Sequence, residues 1–303
     1  MPVALPCSDA SRLREEPLLA TASRVERWLL VEHRGPWGPP AVPLARVDAA
    51  LGDHLVAEAE RGGARLLLLR HPRGVDCPPG RNVFLVDSRA GRERVLHRHF
   101  ADDQTLQAAA LPVASDPGPQ WQPFDGPLLL VCTHGRHDRC CALRGRPVAE
   151  ALAGRYPERT WECSHVGGDR FAANVVVLPE GYYLSRLEAA DAPRAVADLR
   201  AGRLPLEHLR GRSSMPLPVQ AAQHFARTAL DRDGADDLLL AGQEPDGADA
   251  WRVRLAGAVD LPDVEVRVRY DRRATDPALL TCGAAQPAVA PQFTCLELTT
   301  LTR

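Results

Sequence analysis

The chain has 303 residues, 45% of them apolar and 25% charged, with a formal charge of −2. That length allows about two domains with a core that needs no disulfide staples. The near-neutral balance gives no general affinity for nucleic acid or an anionic membrane, and no run approaches the ~18 apolar residues of a membrane span. All 37 basic residues are arginine, which reads mostly as solvated surface. The opening MPVALPCSDASRLREEP has neither the basic nor the apolar region of a secretory signal. A cytoplasmic setting is therefore expected, with the eight cysteines as thiols or metal ligands rather than disulfides.

In chain order, RVERWLLVEH (24–33) reads as a strand. LARVDAALGDHLVAEAERGG then carries apolar residues at helical spacing up to a Gly-Gly stop, which predicts a helix over 44–60. ARLLLLRH (64–71), RNVFLVDS (81–88) and RERVLHRHF (92–100) read as three further strands. PVASDPGPQWQPFDG has turn chemistry and no apolar period, which marks a boundary near residue 118. Beyond it come a buried strand at 126–132, a helix opening on Pro147, a strand at 159–165, a hairpin turning at 179–181 and a helix at 187–202. Residues 203–218 form a turn-rich linker. An amphipathic helix follows, then alternating strands at 251–257, 264–270 and 291–301. The layout is α/β: an N-terminal α/β domain (1–118), a central domain (119–215) and a C-terminal α+β segment (216–303). No internal repeat is evident.

Chemistry concentrates in 128–177. This stretch holds four of the eight cysteines and three of the ten histidines. A strand ending in Cys132 is followed by a short loop returning Cys141, and a second strand ends in His165 and Asp169 around Gly167-Gly168. Thiolates with imidazole gather borderline and soft metals, so the stretch reads as a metal site. Ligand type alone leaves zinc and iron-sulfur chemistry open. Cys163, two residues before His165, would share its face on an extended strand. His134, His137 and Asp138 lie between the two cysteines and read as solvated, as supporting donors or as spare ligands, and Cys140 as a spare thiol. Cys7, Cys77, Cys282 and Cys295 stand outside any close Cys/His spacing and read as small apolar core residues.

The Cys-x8-Cys of CTHGRHDRCC, the following Arg144-Gly145 and the run HVGGDRFAAN resemble the sucrase/ferredoxin-like family, with weaker similarity at CSDASR and RWLLVEHRGPWG. The resemblance covers most of the first 215 residues. It implies a thioredoxin-like domain carrying a [2Fe-2S] cluster, with Cys132, Cys141, His165 and Asp169 as ligands and electron transfer as the role. The family's second pair is two histidines, as H-x-G-G-H. Here Asp169 takes the second place, with Cys163 or an external thiolate or water as alternatives. The glycines would let backbone N–H groups approach the sulfides.

Two other readings compete: a zinc-stabilised Cys/His binding module without redox activity, and a thiol redox enzyme, although no C-x-x-C motif occurs. No catalytic residue is assigned, and the sugar hydrolysis suggested by the family's name finds no placeable pair of carboxylates. Arg136, Arg139, Arg144, Arg146, Arg155 and Arg170 cluster about the motif and are expected to dock an acidic redox partner protein.

Overall fold

The computed structural model describes residues 5–38, 47–72 and 78–301. The chain is a mixed α/β structure built on one ten-stranded sheet and one four-stranded sheet. The predicted strands appear as β1 (Arg27–Glu32), β2 (Arg65–Arg70), β3 (Arg81–Asp87) and β4 (Arg94–Phe100), with α2 (Ala49–Arg61) crossing from β1 to β2. Asp48 starts α2, its carboxylate accepting from the N–H groups of Ala50 and Leu51. Residues 44–46 of the predicted helix lie outside the described residues, as does Cys77. Two short helices were not anticipated: α1 (Cys7–Leu13) and α3 (Asp103–Gln107). The two-residue strand β5 (Gln122–Pro123) pairs with β4.

The second set is β6 (Leu128–Cys132), α4 (Arg139–Arg155), β7 (Thr160–Cys163), β8 (Val175–Leu178), β9 (Tyr182–Leu184) and α5 (Ala192–Arg200). The linker supplies β10 (Leu209–Arg212), which pairs with β9. Helix α4 starts eight residues before Pro147, the position at which the sequence predicted its start. Asp138 provides an alternative cap, and Pro147 lies inside the helix. A proline opening an apolar run is an ordinary first-turn signal, and here the cap overrides it.

The strand order is β10-β9-β8-β6-β7-β2-β1-β3-β4-β5. Within it one topology occurs twice. β1 runs parallel to β2 across α2, with β3 antiparallel to β1 and β4 antiparallel to β3. β6 likewise runs parallel to β7 across α4, with β8 antiparallel to β6 and β9 antiparallel to β8. The halves join edge to edge where β2 pairs antiparallel with β7, Leu69 opposite Cys163, so the sheet is continuous across residue 118.

Alternation along the strands gives this sheet two apolar faces. Leu29, Val31, Leu66 and Leu68 pack with Leu51 and Leu55 of α2, while Leu129 and Val131 pack with Val148 and Leu152 of α4 and Val196 of α5. The other face, with Trp28, Leu30, Leu69, Leu130, Cys132, Trp161, Cys163 and Tyr183, is one shared cluster. The sheet curls about this face. Trp28 of β1 lies 6.4 Å from Tyr183 of β9, ring centre to ring centre, although four strands separate them in the sheet order.

The C-terminal region is α6 (Leu217–Leu230) on an antiparallel meander of β11 (Leu238–Pro245), β12 (Ala250–Gly257), β13 (Asp263–Asp271) and β14 (Gln292–Leu301). β11 was not foreseen. It is a largely exposed edge strand with a bulge between Leu240 and Gly242, so it carries no clean alternation. No described helix is long and apolar enough to cross a membrane.

Candidate metal centre

Cys132 ends β6 beside Cys163 of β7. Its N–H donates to the Asn174 carbonyl at 3.0 Å, and the Thr133 N–H to the Cys163 carbonyl at 3.2 Å, so both strand ends are tied where the chain leaves the sheet. Asp138 then caps α4, its Oδ1 accepting from the Cys140 N–H at 2.8 Å. This puts Cys141 in the helix's first turn, facing Cys132. Gly145 permits the approach, because a Cβ there would lie 2.2 Å from the Cys132 carbonyl oxygen.

The ligand atoms of Cys132, Cys141 and His165 all lie within 4.8 Å of one another, and those of His137, His165 and Asp169 form a second such group. The two groups share His165. The Cys141 thiol donates to Asp169 Oδ1 at 3.1 Å, and the same oxygen is 3.0 Å from His165 Nδ1. Asp169 Oδ2 is 3.5 Å from His137 Nε2. The His137 and His165 rings stack with centroids 3.7 Å apart. Both cysteines and Asp169 are buried, whereas His137 faces solvent. His165 Nδ1 is buried without an aligned hydrogen bond. A buried imidazole nitrogen facing thiols and a carboxylate fits a ligand position.

The charges agree with that use. Contact with the Cys141 side chain and with the His165 ring holds the Cys132 thiol well below its ordinary pKa despite burial. Its partner Cys141 is pushed up by the same contact and by burial. Burial opposes protonation of His165, but Asp169 and Cys132 outweigh it and raise the ring to about 9. Burial also opposes ionisation of Asp169, yet His165 and the Cys141 thiol hold it below its ordinary value. Without a metal, Cys132, His165 and Asp169 each bias the others toward their charged forms.

The loop from His165 to Asp169 is fixed from behind. Arg65 donates to the His165 carbonyl at 2.8 Å, and Ser23 and Tyr183 donate to that of Val166 at 3.1 and 3.3 Å. Arg210 donates to the Gly167 carbonyl and Asn174 to the Gly168 carbonyl, each at 2.9 Å. Both glycines have positive φ, 97° and 82°, and a Cβ on Gly168 would lie 2.6 Å from the Arg210 guanidinium. Arg210 is buried, which lowers it to about 10. Among the described residues the N–H groups of 165–168 have no protein partner.

Other residues singled out in the sequence fall differently. Cys163 is buried in the shared apolar cluster and joins neither donor group. His134 Nε2 lies 2.8 Å from the Gly38 carbonyl, and its ring meets Trp37 edge-on. His137, read as solvated, supporting or a spare ligand, stands with His165 and Asp169. The signal that favours it is its position in the loop bracketed by the two cysteines. Arg144 and Arg170 are taken up by Asp9 and Glu16, while Arg136, Arg146 and Arg155 are exposed.

A family model described as sucrase/ferredoxin-like matches residues 18–211. The chain belongs to the sucrase/ferredoxin-like family. The matched span of this family member includes Cys132, Cys141, His137, His165 and Asp169, and leaves out α1 and all of the C-terminal region from α6 onward. No curated protein and no solved structure matches the chain.

Proposed function

We propose that this sucrase/ferredoxin-like protein is an electron carrier whose [2Fe-2S] cluster is held by Cys132, Cys141, His165 and Asp169. The observation that carries the reading is the pair of overlapping donor groups joined through His165. One group offers two sulfurs and the other offers imidazole and carboxylate, the division a dinuclear centre requires. When bound, the cluster supplies one-electron transfer. The unpartnered N–H groups of 165–168 suit donation to inorganic sulfide. His137 is a fifth donor and competes with Asp169 for the fourth place, which would restore a pair of histidines by another route.

The repeated order β7-β6-β8-β9 with its α4 crossover supports a thioredoxin-like description of the second half. For docking, exposed Arg136 and Arg146 flank exposed Leu143, a patch suited to an acidic partner protein in a reducing cytoplasm.

A structural zinc ion is the second reading, favoured because each donor group alone is compact enough for one tetrahedral ion. Anaerobic purification separates the two. Iron and acid-labile sulfide in equal amounts, with a red-brown colour that fades on reduction, are expected. A colourless protein with zinc bound through Cys132 would overturn the electron-carrier reading.

A further inference from the structure

Cys140 and Cys141 are adjacent in the first turn of α4 and therefore point about 100° apart, given 3.6 residues per turn. Cys141 enters the centre described above. Cys140 enters a different cluster, and with it come two cysteines that the sequence assigned to the apolar core. Its Sγ lies 3.6 Å from that of Cys7, at the start of α1, and 3.3 Å from that of Cys282, in the segment between β13 and β14. Asp138 completes the set, its two carboxylate oxygens 3.7 and 3.6 Å from the Cys7 sulfur. All four ligand atoms lie within 4.8 Å of one another, and Cys7, Asp138 and Cys140 are buried.

We propose that Cys7, Cys140, Cys282 and Asp138 form a second metal site, a mononuclear zinc site that pins the segment between β13 and β14 to α1 and α4.

Three observations carry it. First, the spacing suits one ion. Zinc–thiolate bonds of about 2.3 Å in a tetrahedron put neighbouring sulfurs about 3.8 Å apart, close to the separations here. A disulfide needs about 2.05 Å, and three sulfurs leave one thiol over in any pairing. Second, donors already point at the sulfurs. The Cys7 N–H donates to Cys282 Sγ at 3.4 Å, the Ser8 hydroxyl to Cys140 Sγ at 3.4 Å, and the Arg139 guanidinium to Cys282. A neutral thiol is a weak acceptor that gains little from such company, whereas a metal-bound thiolate requires it. Third, the carboxylate is positioned. Asp138 Oδ1 accepts from the Cys140 N–H and Oδ2 from the Cys282 N–H at 2.6 Å, which fixes its orientation toward Cys7 and links α4 to the Cys282 segment.

The ligands are gathered from remote parts of the chain: Cys7 is 133 residues from Cys140, and Cys282 is 142. Both lie outside the span matched by the family. Zinc here would tie the flanking segments to the helix that carries Cys141 without itself taking part in electron transfer.

The test is zinc per chain, measured by elemental analysis on the full-length protein and on Cys282→Ser, Cys7→Ser and Cys132→Ser. One zinc that survives Cys132→Ser and is lost in both Cys282→Ser and Cys7→Ser is expected. The iron content and visible spectrum of the Cys282→Ser protein should remain those of the parent. Replacing the zinc with Co(II) should give the strong visible bands of tetrahedral thiolate coordination, absent in Cys282→Ser. Zinc retained in Cys282→Ser, or a metal-free protein whose intact mass shows a disulfide involving Cys140, would overturn the proposal. Loss of zinc only in Cys132→Ser would place it at the first centre and overturn both the second site and the electron-carrier reading.

Discussion

The two halves of the ten-stranded sheet share one topology and differ in what stands at the end of the leading strand. In the second half β6 delivers Cys132, the capped start of α4 delivers Cys141, and the segment after β7 delivers His165 and Asp169. In the first half β1 delivers Glu32, a fully buried carboxylate that accepts from Arg34 at 2.7 Å and from the Asn82 backbone and side chain at 3.1 and 2.6 Å. Next to it, His33 is 3.2 Å from Arg81, and His71, after β2, stacks on Trp161. Burial pushes both of these histidines below their ordinary pKa, whereas His165 rises to about 9. One half closes its strand ends around a hydrogen-bonded carboxylate, and the other leaves soft and borderline donors facing one another. The topology supplies the position, and residue type decides whether it becomes a structural lock or a set of donors able to hold a metal.

Two substitutions break this comparison most severely. Cys132→Ser should abolish iron binding and visible absorbance, because it removes the donor that its neighbours already bias toward the thiolate. Glu32→Gln should leave iron content unchanged and lower stability to urea by about 1–3 kcal/mol, the cost of weakening a buried hydrogen-bonded acceptor. If Glu32→Gln also lost the metal, the halves would be one coupled site rather than two independent uses of a shared topology.

The next effect is on potential. On the proposed ligation, Asp169→His replaces an anionic ligand by a neutral one and should raise the reduction potential on the order of 100 mV, since net charge at the cluster sets it. His137→Ala, measured in parallel, decides which donor holds the fourth place. An unchanged potential in Asp169→His together with metal loss in His137→Ala would assign that place to His137.

Much of the sheet could be read from the sequence, since RWLLVE, RLLLLR and LLLVC are apolar runs with no competing period. The donors Cys132, Cys141, His165 and Asp169 were named from spacing and resemblance. The true start of α4 was missed, because Pro147 gives a stronger local signal than Asp138. That error concealed the rest: with Cys140 on an extended segment it is a spare thiol, and only a helical turn sends Cys140 and Cys141 to different clusters. Cys7 and Cys282 meet Cys140 through tertiary packing that no spacing encodes. The doubled topology also left no trace as a repeat, because strand order depends on which apolar runs pair.

The smallest predicted effect concerns protons at His165, and it acts in opposite directions with and without metal. In the metal-free protein the ring is protonated up to about 9, above the ordinary value near 6.5. The imidazolium's contacts with Asp169 and Cys132 therefore stabilise the fold fully below about 6.5, and that contribution is lost as pH rises through about 9. Metal binding needs the ring neutral, so affinity must climb as pH rises toward about 9, by up to about tenfold per pH unit for the His165 proton released. Chelator competition with Zn(II) on metal-free protein from pH 6 to 9 should show rising affinity. Asp169→Asn removes a main support of the imidazolium and should shift that rise to lower pH. A profile that does not move in Asp169→Asn would show that His165 is not the proton the metal displaces.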